Sequence, residues 1–388
     1  MVIKPMIRNN ICMNAHPEGA RALVNEQIDY VRQRKPIDGP KRVLVIGGST
    51  GYGLATRIAA TYGSGAGTIN VAYESPAKGS RTATIGWYNT HAFEERARGD
   101  GYVAESLFGD AFSHEMKQNT IDRIKELFGS VDLVVYSLAS GVRVDPDTGE
   151  RYTSVLKPVG SSYESKSIDT KQGEIKDVRV EPATEEEIER TVKVMGGEDW
   201  QLWIHRLMEA GVLAEGAKTV AYSYIGPDLT RPLYRDGTIG RAKEHLEATA
   251  DELSSKLSSI GGEAFISVNK AIVTRASSVI PVVSLYLAIL YRVMKRKGLH
   301  EDAIEQMYRL LKERLYDGDE VPTDEEGRIR LDDWEMREDI QEEVSRLWEE
   351  VDGENVEELA DVEGLQSDFL HIHGFGFDSV DYEKDVEP

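Results

Sequence analysis

A chain of 388 residues that is 40% hydrophobic and 8% aromatic can bury a large core and is not a disordered polymer. Its net charge of −22 opposes polyanions, which argues against nucleic acid and anionic membrane surfaces as partners. The lone Cys12 excludes an intrachain disulfide, and no apolar run reaches the ~18 residues of a membrane span.

In chain order, RVLVIG (42–47) reads as the first strand, TINVAYE (68–74) as the second and YVAESLFGD (102–110) as the third. VDLVVYSLAS (131–140), KTVAYSYIG (218–226) and EAFISVNK (263–270) follow as the fourth to sixth. The core runs are nearly continuous in Val, Ile and Leu, as in parallel strands covered on both faces. Helical spacing, as in HEMKQNTIDRIKELFG (114–129), lies between them. This alternation predicts an α/β fold with a Rossmann-like, doubly wound parallel sheet.

Residues 141–182 carry turn signals and β-branched alternation, which predicts a hairpin flap. Residues 184–214 read as helix, opened by Thr184 and Glu185 to Glu187 in a capping arrangement. VIPVVSLYLAILY (279–291) reads as a buried core helix, and the chain beyond about 283 as mainly helical apart from a turn-rich interval at 316–333. The expected organisation is one elaborated domain over 1–388, with a substrate-side insertion at 141–214 and a helical C-terminal extension at 283–388. The N-terminus lacks the order of a secretory signal, so a cytoplasmic protein is expected.

Chemistry first becomes specific at VLVIGGSTGYGLATR (43–57), where a strand passes into a helix through glycine. Backbone amides at such a turn approach phosphate closely, and the helix N-terminus favours the anion. A nucleotide-triphosphate loop would end in Gly-Lys-Ser/Thr; here Gly51-Tyr52-Gly53 stands instead, so phosphoryl transfer is disfavoured. Glu74 ends the second strand about 20 residues on, where a carboxylate binds ribose hydroxyls and repels the extra phosphate of NADP. NADH is the expected cofactor. Asp110 and Ala111 end the third run, where adenine would lie; Ser137, Leu138 and Ala139 end the fourth, beside the nicotinamide ribose.

After the fifth strand, Tyr224 and Tyr234 precede Lys243. Tyr234 and Lys243 are nine positions apart, about 900° of an ideal helix and half a turn out of phase. Gly237 and Gly240 between them suggest a loop that folds Tyr234 back toward a helix carrying Lys243. A phenol beside an ammonium is the better proton donor for a developing enolate.

These pieces, with KPMIRNNICMNAHPEG (4–19), GWYNTHAF (86–93), GDAFS (109–113), YSLAS (136–140), KAIVTRASSVIP (270–281) and HGFGFDSVDYE (373–383), span the chain in order. The chain resembles the FabV-type enoyl reductases, which include trans-2-enoyl-CoA reductases. The resemblance implies a monomeric, short-chain-dehydrogenase-like enzyme. It would use NADH to reduce the trans-2 double bond of an enoyl thioester, linked to coenzyme A or acyl carrier protein, in fatty acid metabolism. It also implies roles by position: Tyr234 as proton donor, Lys243 as its cofactor-binding partner and Tyr224 on the substrate carbonyl. The implied cofactor shell is Gly47, Gly48, Ser49, Thr50, Gly51, Tyr52, Tyr73, Glu74, Asp110, Ala111, Leu138, Ala139, Lys243, Ile272, Val273 and Thr274. Two rivals remain: a short-chain carbonyl reductase or alcohol dehydrogenase, which favours a four-residue Tyr–Lys spacing, and a non-catalytic NADH-binding protein, which needs neither Tyr234 nor Lys243.

No metal site is expected. His371 and His373 read as packing histidines, and DPDTGE (145–150) as a turn without the later glutamate of a calcium loop. The acidic stretch 332–354 reads as a helix packing through Trp334, Ile340, Val344, Leu347 and Val351.

Overall fold

The computed structural model of the chain describes residues 1–8, 11–169, 174–275, 277 and 281–388. The stretches 4–19, 141–182 and 270–281 singled out above therefore lie partly outside the described residues. Seven strands form the central sheet: β1 (Arg42–Ile46), β2 (Gly67–Ala72), β3 (Ala104–Phe108), β4 (Val131–Tyr136), β5 (Leu213–Ser223), β6 (Glu263–Val268) and β7 (Arg328–Arg330). Their order is β3-β2-β1-β4-β5-β6-β7, every pairing parallel. The order reverses between β1 and β4, and at such a switch point a crevice opens beyond the carboxyl ends of the strands.

Twelve helices are described: α1 (Pro17–Arg32), α2 (Gly51–Ser64), α3 (Ile85–Gly99), α4 (His114–Leu127), α5 (Glu185–Met195) and α6 (Glu198–Glu209), then α7 (Thr238–Leu257), α8 (Pro281–Arg296), α9 (Ala303–Arg309), α10 (Glu338–Glu350), α11 (Val356–Leu359) and α12 (Val362–His371). The strands alternate between two cores, so that both faces bury apolar side chains. Val43 and Val45 of β1 face α1, α2, α3 and α9, while Leu44 and Ile46 face α4, α6 and α7. A third cluster gathers α8, α10, Ile168, Leu233 and Tyr234 beside the sheet.

The first six strands lie within or overlap the runs expected for them, except that β5 starts at Leu213, where helix was expected. β7 was not anticipated. It comes from the turn-rich interval and joins part of the supposed helical extension to the sheet. Ile329 is fully buried there, while Arg328 pairs with Asp324, Glu326 and Glu247. Three residues flanked by charge do not read as a strand.

The described residues of 141–182 include two antiparallel ribbons, 142–144 with 151–153 and 163–169 with 174–180. DPDTGE is the turn of the first, with Asp145 Oδ1 accepting the amides of Asp147 and Thr148. The helical stretch after it is two helices, because Gly196 and Gly197 part them. A Cβ on Gly197 would lie 2.0 Å from Thr249 Oγ1. Thr184 and Glu187 do close a capping box at the start of α5. Trp334 lies ahead of α10, its ring 4.5 Å from the Arg309 guanidinium carbon, whereas Ile340, Val344, Leu347 and Val351 are buried.

The two ends of the chain clasp each other. The His16 amide donates to His373 O at 3.1 Å, and a Cβ on Gly19 would fall 1.7 Å from Gly374 O. The Met1 ammonium donates to Val386 O at 2.7 Å. His373 Nδ1 lies 2.8 Å from Phe369 O, and the His371 ring stacks on Phe377 at 4.6 Å.

Candidate active site

The turn from β1 into α2 needs glycine for space as well as for conformation. Gly47 has φ +93°, and a Cβ on it would meet Ser137 O at 2.5 Å. A Cβ on Gly48 would sit 2.6 Å from Asn70 Oδ1, the atom that accepts the Gly48 amide at 2.7 Å. Asn89 Nδ2 donates to Ser49 O at 3.3 Å, so two asparagines brace the bend. Thr50 is the N-cap of α2, yet its side chain caps nothing, and the first turn holds no acidic residue. Uncapped amides and the helix field together suit a phosphate. Thr274 borders the turn, its Cγ2 lying 3.8 Å from where a Gly51 Cβ would be.

Glu74 follows β2 and turns inward, its side chain only 4% exposed. Its Oε1 accepts from Ser49 Oγ at 2.7 Å and Arg275 Nη1 at 3.3 Å, whereas the buried Oε2 has no partner among the described residues. A buried carboxylate oxygen without a donor is costly, and a ribose hydroxyl supplies the missing donor. The residues thus fit a dinucleotide. Two contributors escaped the sequence reading. Arg275 caps Glu74 from outside, and a Cβ on Gly86 would come within 2.1 Å of Glu74 Oε1. The sign for Gly86 was a glycine in the first turn of a helix, a choice that costs about 1 kcal/mol and needs a packing reason. Tyr73 is 81% exposed, its ring open for stacking.

At the end of β3, Asp110 Oδ1 accepts the Phe112 amide at 3.0 Å, and Ala111 is buried. Lys117 Nζ donates to Ala111 O at 3.1 Å, Phe112 O at 2.9 Å and Asp199 Oδ1 at 2.7 Å. Tyr136, the last residue of β4, donates to Asp199 Oδ2 at 3.0 Å. A buried ion pair therefore fixes the 110–112 turn against the strand that leads to Leu138 and Ala139. Ser137 between them is anchored by its amide to Ile46 O at 2.8 Å.

The second assembly stands at the end of β5. Tyr234 packs edge-on against Tyr224, with ring centroids 5.0 Å apart and planes at 89°. The loop between them folds onto the start of α7, as the two glycines suggested. A Cβ on Gly240 would lie 1.9 Å from Arg235 O, and one on Gly237 would lie 2.3 Å from Leu233 O. Arg235 grips Glu247 of α7 through two bonds of 2.9 and 3.2 Å. The Tyr234 hydroxyl has no hydrogen-bond partner among the described residues; burial, and then the charge of Glu335, push its pKa up. Lys243 Nζ reaches Tyr222 O at 3.5 Å, and burial lowers its pKa to about 8. Phenol and amine thus reach the same strand end, at Tyr224 and Tyr222, with no direct hydrogen bond between them among the described residues.

The two assemblies are continuous. The Tyr222 hydroxyl lies 2.5 Å from Thr56 Oγ1, and its ring is 6.2 Å from that of Tyr52, whose hydroxyl donates to Lys270 O. Ile272 and Val273 are buried beyond β6, and the Val273 amide donates to Tyr291 Oη at 3.1 Å. Tyr224 donates to Glu335 at 3.1 Å, a third residue missed in the sequence. One trio among the described residues, His300, Asp302 and Asp368, brings potential metal-ligand atoms within 4.8 Å of one another, and Lys270 and Lys295 already offset the charge of Asp302.

Comparison with known proteins finds three family models along the chain. A family model described as the trans-2-enoyl-CoA reductase catalytic region matches residues 81–316. The NAD(P)H binding domain of trans-2-enoyl-CoA reductase matches 2–79, and an enoyl reductase FAD binding domain matches 323–386. An NADH-dependent enoyl-acyl-carrier-protein reductase of Coxiella burnetii (strain Dugway 5J108-111) is 56% identical over 390 residues, covering 100% of this chain and 96% of the relative. The crystal structure of Clostridium acetobutulicum trans-2-enoyl-CoA reductase with NADH superposes with a TM-score of 0.97 at 46% identity, covering 100% and 98% of the two chains. The Treponema denticola trans-2-enoyl-CoA reductase with NAD gives 0.96 at 52% identity, with the same coverage.

Proposed function

The chain belongs to the trans-2-enoyl-CoA reductase family, and from that premise we propose that it reduces the trans-2 double bond of an enoyl thioester with NADH. The observation that carries this reading is the junction of two assemblies at one sheet edge. An uncapped glycine turn with a half-satisfied buried Glu74 adjoins a tyrosine pair and a buried lysine at the end of β5.

Bound NADH supplies the hydride for the β-carbon of the acyl chain. The residues of the chain do the rest. Glu74 Oε2 accepts a ribose hydroxyl and repels a 2′-phosphate, while Arg275 and Ser49 hold the carboxylate in place. Lys243, buried and in reach of the Tyr222 carbonyl, orients the nicotinamide ribose. As charge moves to the thioester oxygen, the Tyr224 hydroxyl donates a hydrogen bond to it. Tyr234, whose hydroxyl is committed to no protein acceptor among the described residues, gives up its phenolic proton toward the α-carbon or through the enol. A raised phenol pKa keeps that proton in place until charge develops.

We read 1–388 as one catalytic body acting as a monomer, the 141–214 insertion and the 283–388 helices lining the substrate side. Supporting this, Ile168 of the insertion, Tyr234 and α8 share one apolar cluster. No helix among the described residues is long and apolar enough to cross a membrane, and the free Cys12 suits a reducing cytoplasm. The test is loss of NADH absorbance with crotonyl-CoA, a carrier-linked enoyl chain and a ketone in parallel. Turnover on either thioester and none on the ketone is expected; the reverse makes it a carbonyl reductase, and NADH binding without turnover on any makes it a binding protein.

A further inference from the structure

We propose that Glu335 is a positioning residue that sets which way the Tyr224 hydroxyl points, and thereby whether Tyr224 can donate to the substrate oxygen; the inference rests on the reductase reading above. Glu335 lies in the turns ahead of α10 and is fully buried. Its Oε2 accepts the Ala271 amide at 2.7 Å. Its Oε1 accepts the Tyr286 hydroxyl at 2.7 Å and the Tyr224 hydroxyl at 3.1 Å.

Hydrogen accounting leaves little freedom. An amide N–H only donates, so the Ala271 contact has one direction. Tyr286 is fixed as well, because its oxygen accepts Gln341 Nε2 at 3.2 Å and its single hydrogen is left for Glu335. Among the described residues, a proton taken up by Glu335 therefore has one neighbour able to accept it, the Tyr224 oxygen. In that state Tyr224 accepts from the acid and turns its own hydrogen toward the substrate. With Glu335 ionised, Tyr224 commits its only hydrogen to the carboxylate and presents lone pairs to a charge of the same sign. Glu335 thus decides whether Tyr224 helps or opposes the developing oxyanion.

The groups facing Glu335 among the described residues are Tyr52, Tyr224, Tyr234 and Tyr286, the cation Lys270 and the carboxylate Asp332. Burial is the largest influence and favours the neutral acid; Lys270 and the donors of Ala271 and Tyr286 pull the other way, and the net effect is a pKa above the ordinary carboxylate range. No proton is consumed at Glu335 over a cycle. The acid keeps its hydrogen and Tyr224 donates a hydrogen bond without giving up its own, so the one proton the reduction needs comes from Tyr234.

The experiment compares the pH dependence of kcat in the wild type, Glu335→Gln and Tyr224→Phe, with NADH affinity measured by fluorescence. In the wild type, turnover should fall about tenfold per pH unit above the ionisation of Glu335, and both variants should lack that limb. NADH Kd should stay within about twofold in each. Asp199, Glu301, Asp332 and Asp368 are buried acids common to both proteins, so the infrared difference between wild type and Glu335→Gln at low pH should show one protonated carboxyl band that only the wild type has. A flat wild-type profile, or a limb with the same midpoint in either variant, overturns the inference. Should Glu335→Gln fail to fold, Tyr224→Phe alone decides, since its limb must vanish too. A wild type that turns over no enoyl thioester at all refutes the reductase reading instead, and the infrared band then still reports whether Glu335 takes up a proton.

Discussion

The dinucleotide side and the tyrosine side of the site are held by different means. Around 47–53 the receptor is backbone, shaped by Gly47, Gly48 and Gly53, whose neighbours leave no room for a Cβ, and braced by Asn70 and Asn89. At the end of β5 the receptor is side chain, the Tyr224 and Tyr234 rings with the Lys243 amine, and Glu335 holds Tyr224. Substitutions on the first side should therefore appear in cofactor affinity and those of the two tyrosines in turnover, while Lys243, which stands between the two, should appear in cofactor affinity.

Four measurements test that division. The largest effect is expected for Tyr234→Phe, which should lower kcat by about 100-fold or more while NADH Kd stays put; normal turnover would remove Tyr234 from the chemistry. Gly47→Val places a branched side chain at φ +93°, against Ser137 O at 2.5 Å. It should cost about 3 kcal/mol or more, read as a lower Tm and weakened NADH binding, and unaltered binding would take the turn out of the cofactor cradle. Glu74→Ser leaves Arg275 facing the ribose and should move the NADPH-to-NADH preference by about tenfold or more. A preference that does not move would relocate the ribose.

The smallest effect is a pH dependence. Burial holds the Lys243 ammonium only up to about pH 8, so NADH Kd should rise by somewhat less than about tenfold between pH 7 and 9, the share of one charged hydrogen bond. Lys243→Met should be flat over the same range. In the unfolded chain Lys243 keeps its proton to near its ordinary value of 10.5. The burial penalty is thus fully present below pH 8 and relieved above it, so this group makes the unliganded protein more stable as pH rises from 8 toward 10.5.

What could be read from the sequence follows the same division. Five strands were visible because each carries its own run of buried apolar residues, β3 because its run falls between two helical stretches, and Glu74 because it ends one of the five. The fold-back of Tyr234 was visible in Gly237 and Gly240. Residues whose environment is made by distant parts of the chain were not. Glu335 sits in DDWEMRED, which looks like a solvated acidic face until α8 and the segment after β6 close over it. β7 is three residues whose arginines look exposed until Asp324 and Glu247 meet them. Arg275 could be placed only once the position of Glu74 was known.

The clasp between His16 and Gly374 has a consequence for engineering. With Met1 bonded to Val386, the two extremities are already neighbours, so a short peptide bridge between them would restrict the native molecule little while shrinking the ensemble of the denatured one. A circular permutant opened instead at the exposed turn 146–149 should fold and keep its activity, whereas trimming either extremity should loosen the other.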